Sequence, residues 1–446
     1  MSQNRTITIS DNSYKQLIDQ GEINDIARIA DISLRNLQLS KQGNILIIPG
    51  DLDDCEDDIA DSSICSLDRK DILSTGNVMG FIGVGQTRMK IGSRFDRDSS
   101  EDFFLHYMLE KVYHLNLIDF QFTFDSQNIF DILLYLFPYY LDRALTQGLY
   151  HQYRTYEHND SRLSGPVNIA RHIITNTPFT GNIAYRTREY SIDNNLTELI
   201  RHTIEYISGK DTSRSILDGS DRDRDNVAQI RMATPSYSKS DRSRVIASNL
   251  RFSIHPFYSE YAPLQRLCIQ ILLHEEIRYG ESSDEVYGML FDGAWLWEEY
   301  LDTLLSQMHF KHPHSKKRHG GFSMFEHSRG AIRYPDFYLP GQIVLDAKYK
   351  TLQEKEVSSF GRDDLNQIVT YMHVLSLGKG GFIFPGTKKM EAKMPGSLKG
   401  AGGLVYPLCL PIPQGCHDYR QFCAELQESE RALTDKIKLI IDGKNS

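Results

Sequence analysis

No run of 18 apolar residues occurs anywhere in these 446 residues, so a membrane-spanning helix is not expected. The opening "MSQNRTITISDNS" has neither the basic end nor the apolar centre of a secretory signal, and the expected location is the cytoplasm. Cysteine is scarce as well. Six are spread along the chain without a CxxC pair, which argues against both a disulfide framework and a zinc ribbon. The phosphate-cradling pattern GxxxxGK[ST] is absent, since "SGKDTS" and "GVGQTR" lack its frame, so no nucleotide is expected to bind through such a loop. Internal repeats and low-complexity tracts are missing too. What is present is an ordinary globular composition, 40% apolar and 24% charged, on a chain long enough for two or three domains.

Three textures follow one another, and together they imply an α/β (α+β) protein. Residues 1–125 read as a strand-rich N-terminal domain: "NILIIPG" and "NVMGFIGVG" are short apolar runs closed by Gly or Pro, although "SSEDFFLHYMLEKVYHL" has helical spacing through Phe104, Met108 and Val112. The acidic run "GDLDDCEDDIADSS" reads as a solvated loop. Residues 126–284 are mainly helical, through "NIFDILLYLFPYYLDRALTQGLY", "NNLTELIRHTIEYI" and "YAPLQRLCIQILLHEEI". Within them Asp221, Asp223 and Asp225 imitate a calcium loop. Asn226 and Met232 stand where that loop needs Gly and Glu, so a charged linker or an irregular helix start is expected instead. Residues 285–446 form the third region. Its pattern is a helix over "EVYGMLFDGAWLWEEYLDTLLSQM", strands at "FYLP" and "QIVLDAKYK", a helix over "GRDDLNQIVTYMHVLSL", strands at "GGFIFPG" and "GLVYPLCLP", and a last helix, which predicts a mixed sheet flanked by helices.

The net charge is −9, unevenly spread: of 50 basic and 59 acidic residues, 20 and 19 fall between Glu285 and Ser446, leaving 30 and 40 ahead of them. The last third is therefore the part least repelled by a polyanion, and its clusters "KHPHSKKRH" and "GTKKMEAKMPGSLK" are candidates for DNA contact through Lys316, Lys317, Arg318, Lys388 and Lys389. For both, a plain solvated loop is the competing reading. Without cysteines at suitable spacing, the histidines of the first cluster, His309, His312, His314 and His319, do not make a zinc site the favoured one.

The most informative stretch is "RYPDFYLPGQIVLDAKYK", residues 333–350. In a strand alternate side chains share a face, so Asp346 and Lys348 project together from an otherwise apolar segment. A hairpin through "LPGQ" can bring Asp336 beside Asp346. Two carboxylates in a half-buried place repel unless a proton or cation lies between them, and a hard divalent ion, Mg²⁺ or Mn²⁺, resolves the conflict. Such an ion beside a lysine can activate water and stabilise charge growing on a phosphate, which is phosphodiester hydrolysis. A surface turn with an ordinary Asp–Lys pair is the alternative.

Two helices bear on that choice. Glu298 falls at helical spacing with Phe291, Ala294, Leu301 and Leu305, on the core-facing stripe, where an acid needs a partner such as a metal or its waters. A boundary carboxylate bonded to backbone or to an arginine is the plainer reading. In the following helix Asp363, Gln367 and Tyr371 recur at every fourth residue and form one polar edge, on which Gln367 could orient the attacking water, contact the DNA backbone or simply face solvent.

"LWEEYL", "YPDFYL", "IVLDAKYK" and "DDLNQIVTYM" together resemble the PD-(D/E)xK nuclease domain of the McrC family, the nuclease subunit of McrBC-type, 5-methylcytosine-dependent restriction systems. "MKIGSRF", "FFLHYMLEKV", "RLSGPVNIARHI" and "DNNLTELIRHTIEYI" are similar to weaker signatures of the same family, so the likeness runs from about Gly80 to Tyr406. "MKIGSRF" departs from the family in lacking its usual Pro-Lys, and the first 75 residues match nothing in it. The resemblance implies Asp336 and Asp346 as metal-binding carboxylates, Lys348 as the catalytic lysine, Glu298 as a helix-borne glutamate assisting the Mg²⁺ (or Mn²⁺) site, and Gln367 as the glutamine of the following helix. It implies as partners DNA, a hexamer of a McrB-like AAA+ GTPase whose activity the chain stimulates, contacted through residues 1–125, and a second copy for cutting both strands. The other readings carried forward are a stand-alone PD-(D/E)xK repair or recombination nuclease and a non-cutting scaffold of an AAA+ motor. Four clustered charged groups argue against the scaffold.

Overall fold

The computed structural model describes residues 5–39, 43–48, 61–96, 102–113, 128–210, 216–250, 256–279, 286–313, 320–326, 331–350, 360–386, 395–400 and 402–443. The architecture is mixed α/β, as the sequence pattern implies. The chain divides into two compact units, one made of Met1–Ile129 together with Ser282–Ser446, the other of Phe130–Glu281.

The first unit holds two five-stranded sheets. In one the order is Arg5–Ser10, Thr87–Gly92, Val78–Val84, Val286–Asp292, Gly43–Ile48. The outer strands run parallel to their neighbours and the inner pairings are antiparallel. Val78–Val84 is buried at every position, as a strand covered on both faces must be, and its side chains join a core with Ile7, Ile47, Leu73 and Leu290. Gly80 is required there. It has φ of +129°, and a Cβ would run into the carbonyl of Met289 on the adjacent strand.

This sheet corrects one expectation. Val286–Asp292 is not the start of a helix but a strand paired with Val78–Val84 and Gly43–Ile48. The helix begins only at Gly293, where the buried Asp292 carboxylate accepts from the N–H groups of Ala294 (2.9 Å) and Trp295 (3.3 Å) and so caps the first turn. A strand therefore leads directly into the helix Gly293–Leu305, whose inward face carries Leu296, Trp297, Glu298, Tyr300 and Leu301.

The second sheet has the order Phe337–Leu339, Ile343–Ala347, Lys379–Gly386, Leu404–Pro411, Gly396–Ser397. Ile343–Ala347 is antiparallel to the first strand of the hairpin and parallel to Lys379–Gly386, and all five of its residues are buried. Burying Ile343, Val344 and Leu345 contributes about 1.5–3 kcal/mol each. The helix Arg362–Val374 covers one face through Ile368 and Met372. The long helix Tyr419–Ile441 starts at an Asp418 cap, and its last carbonyls, Ile440 and Ile441, accept from the Lys379 ammonium.

Among its described residues the second unit is helical apart from one hairpin, Gln152–Asp160 with Ile183–Ser191. Asp221 and Asp223 sit in the first turn of the helix Asp221–Ala233 behind a Ser220 cap, so the triple-aspartate run is a helix start. A buried carboxylate organises the base of the hairpin: Glu198 takes hydrogen bonds from Arg154 (3.0 Å), Arg244 (3.0 Å) and Ser236 (3.1 Å).

Candidate active site

The hairpin register Phe337↔Leu345 puts Asp336 across from Asp346, on one face of the second sheet, as alternation requires. The Asp336 carboxylate is pinned there by the Ala347 N–H, which donates to its Oδ2 at 2.6 Å. His312 holds the same residue from behind, its Nδ1 2.6 Å from the Asp336 carbonyl oxygen and its ring stacked on Phe337. Beyond the formal end of the lysine strand, the Lys348 N–H still donates to the Ile383 carbonyl at 2.8 Å, so the lysine backbone remains in the sheet.

The Lys348 ammonium lies 2.7 Å from Asp346 Oδ2, and the Asp346 carboxylate is fully buried. The same nitrogen is 3.5 Å from Asp364 and donates to Gln367 Oε1 at 3.4 Å. Burial alone would lower the lysine pKa; the charges of Asp346, Asp336 and Asp364 outweigh it and hold the group above its ordinary value. Lys348 is thus a fixed cation at neutral pH. Gln367 is oriented in turn, its Nε2 donating to the Tyr371 hydroxyl at 3.0 Å, and that hydroxyl donates to the Tyr334 carbonyl at 3.2 Å. Burial, followed by the nearby aspartates, pushes the Tyr371 hydroxyl up to about 12.

Four of the residues singled out from sequence, Asp336, Asp346, Lys348 and Gln367, are therefore brought together. Glu298 is buried on a helix packed against the lysine strand. It does not join the aspartates in a group of three, for among the described residues no three His, Cys, Asp or Glu side chains form a set able to hold a metal ion. On the following helix Asp363 is exposed, and it is Asp364 that reaches the site, bridging Lys348 and Lys350 (3.2 Å). Helical spacing admits both of these adjacent acids, four and three residues before Gln367, and nothing in the spacing of the histidines marks His312 as a support for Asp336. Lys316, Lys317, Arg318, Lys388 and Lys389, with His314 and His319, lie outside the described residues, as does most of the acidic run after Gly50.

Two facing aspartates and a lysine at one strand end of a mixed sheet define a site of the Asp…Asp-x-Lys class. The chain belongs to the McrBC 5-methylcytosine restriction system component family, whose model matches residues 73–385. Among solved structures it is similar to a refined half-complex from the tetradecameric assembly of Thermococcus gammatolerans McrB AAA+ hexamers with bound McrC, at 16% identity and TM-score 0.46, over 97% of this chain and 100% of that one. It is also similar to the Thermococcus gammatolerans McrBC complex seen by cryo-EM, at 16% identity and TM-score 0.30, over 69% of this chain and 89% of that one. No curated protein sequence matches the chain.

Proposed function

We propose that this chain is the DNA endonuclease subunit of a McrBC-like complex, hydrolysing phosphodiesters with Mg²⁺ and stimulating an AAA+ GTPase partner. The observation that carries the reading is the meeting of Asp336, Asp346 and the Lys348 ammonium at one strand end. The donor set fits the ion, because Mg²⁺ is commonly held by one or two carboxylates and completes its shell with waters and phosphate oxygens. Asp336 and Asp346 would hold it, and when bound it supplies Lewis-acid charge to water and phosphate. The chain's own contribution is electrostatic: Lys348, kept cationic by its neighbours, faces the negative charge that grows on the phosphate, and Gln367 and Asp364 fix the ammonium in place. Glu298 is assigned the assisting role from the helix behind the strand.

Contact with a hexameric GTPase has exposed apolar side chains to draw on. Tyr14 and Ile18 stand out in the first 125 residues, and Leu163, Ile169, Ile174 and Phe179 do so in the hairpin module of the second unit. DNA cutting on both strands calls for a second copy of the site.

The test is cleavage of methylated and unmethylated plasmid by the chain with its AAA+ partner, GTP and Mg²⁺, wild type against Asp346→Ala. Cutting that needs partner and GTP and vanishes in the variant supports the reading. Cutting that persists in the variant sinks the site, and wild-type cutting without partner or GTP favours a stand-alone nuclease.

A further inference from the structure

The residue after Lys348 is held by a group that follows a strand of the other sheet of the same unit. Arg94, two residues beyond the strand Thr87–Gly92, is 8% exposed. Its Nη2 donates to the Tyr349 carbonyl at 2.5 Å and its Nη1 to Asn77 Oδ1 at 3.3 Å, and its Nε lies 3.5 Å from Asp11 Oδ2. Asp11 also accepts from the Arg94 backbone N–H at 2.7 Å and is fully buried, so the carboxylate sets both the backbone and the head of the arginine. The guanidinium lies 4.8 Å from the centroid of the Tyr349 ring. That ring is enclosed in turn. Its hydroxyl is 2.9 Å from Ser93 Oγ and 3.3 Å from Met79 Sδ, Phe95 meets it edge-on, and Gly293 at the start of the Glu298 helix leaves room for it.

A neutral hydrogen bond would suffice to hold an ordinary strand end. Here a buried ion pair is spent on one carbonyl, adjacent to the lysine and three residues from Asp346, at a point where the sheet pairing of that strand runs out. A charge-assisted bond from a guanidinium that also donates to Asn77 and lies beside Asp11 allows that carbonyl little displacement. We propose that Arg94, set by Asp11, is a positioning residue for the cleavage reaction: by gripping the Tyr349 carbonyl it fixes the strand end that presents Lys348 and Asp346. This rests on the nuclease reading above. Misplacing a reacting group by about 1 Å costs on the order of 100-fold in rate, so a grip of this kind acts on turnover rather than on DNA affinity.

The experiment uses the full chain with its AAA+ partner, GTP, Mg²⁺ and methylated plasmid, comparing wild type with Arg94→Gln and Arg94→Lys. Single-turnover cleavage rate, DNA affinity measured in Ca²⁺, Mn²⁺ binding by calorimetry and thermal melting are read together. Expected for Arg94→Gln is a rate lowered roughly 10- to 100-fold with DNA affinity within about twofold and Mn²⁺ binding weakened. Arg94→Lys restores the charge beside Asp11, and with it much of the melting temperature, without restoring the rate, because the ammonium cannot reach Asp11, Asn77 and Tyr349 together. Leu73→Ala, a variant in the hydrophobic core that the strands Val78–Val84 and Thr87–Gly92 share, supplies the comparison for plain destabilisation. A rate loss no larger than that of Leu73→Ala at matched melting temperature, or an unchanged rate in Arg94→Gln, overturns the assignment. If Arg94→Gln does not fold, Arg94→Lys decides by the same rate and melting measurements. Absence of cutting by wild type under all these conditions overturns the nuclease reading and the assignment with it.

Discussion

Replacing Lys348 with Met should make the chain less stable without metal and a better metal binder, while abolishing cleavage. The ammonium is 2.7 Å from Asp346, which is fully buried, and 3.5 Å from Asp364, with Asp336 across the hairpin. Removing one partner of a buried ion pair costs about 3–5 kcal/mol. Two features lower that figure here. Asp364 keeps Lys350 at 3.2 Å, and the Lys348 side chain is 16% exposed, so solvent already screens part of the interaction. A loss of about 2–3 kcal/mol follows, and at about 2–4 °C per kcal/mol the melting temperature in EDTA should fall by roughly 4–12 °C.

A divalent ion changes the sign of the effect. In wild type it must share the two aspartates with an ammonium, and in the variant it replaces that charge. Mn²⁺ should therefore bind Lys348→Met at least about tenfold more tightly, a gain of about 1.4 kcal/mol, and the melting difference should narrow at saturating Mn²⁺. Melting in EDTA and in Mn²⁺, calorimetry of Mn²⁺, and plasmid cleavage together check this. Equal melting temperatures in EDTA, or no gain in Mn²⁺ affinity, would show that the aspartates and the lysine do not share one electrostatic site. Asp346→Asn makes the contrast, since it should lose metal binding and cleavage together.

Burial raises the Asp11 carboxyl from 3.8 to about 6 against the opposing charge of Arg94, so the folded chain holds that proton to higher pH than the unfolded chain does. Its contribution is then most favourable below about pH 3.8 and is lost as pH rises through about 6; relative to Asp11→Asn, wild type should lose about 3 kcal/mol across that window, and parallel melting curves against pH would refute it. Gly293→Ala places a Cβ 2.9 Å from the Tyr349 ring and 3.1 Å from the Asn77 carbonyl, and should cost about 1–3 kcal/mol by melting while slowing cleavage beyond what that instability explains. Neutralising Lys316, Lys317 and Arg318, or Lys388 and Lys389, should flatten the salt dependence of DNA binding by up to about one unit of slope for each phosphate left without its cation, and should leave Mn²⁺ affinity unchanged; a slope identical to wild type would mark them as solvated loops.

How far the sequence could be read depended on the distance over which each feature is decided. Asp346 and Lys348 share a face because strand alternation operates within three residues, and Asp336 joins them because a four-residue turn, "LPGQ", sets the hairpin register. Both were legible. Val286–Asp292 was not: "VYGMLFD" is continuously apolar in its centre, a pattern that a buried strand and a buried helix share, and only its partners near residues 45 and 80 decide between them. The choice of Asp363 over Asp364 has a different origin. Asp363 and Asp364 stand four and three residues before Gln367, on the two flanks of one helix face, so spacing alone does not choose between them and the contact with Lys348 does.

The Arg94 contacts mark the limit of local reading. In "MKIGSRF" the arginine looks like a surface cation after a strand, and nothing near it in the sequence calls for a buried charge. Its acid, Asp11, lies 83 residues before it and its acceptor, the Tyr349 carbonyl, 255 residues after it. A buried arginine is tolerated only when such partners exist, so the fold of the whole unit, Met1–Ile129 closed against Ser282–Ser446, precedes the grip on the lysine strand. The N-terminal sheet and the proposed site are consequently one piece of chemistry. A change that loosens Asp11 should be felt at Lys348 even though the carboxylates proposed to hold the metal, Asp336 and Asp346, both lie outside the first 125 residues.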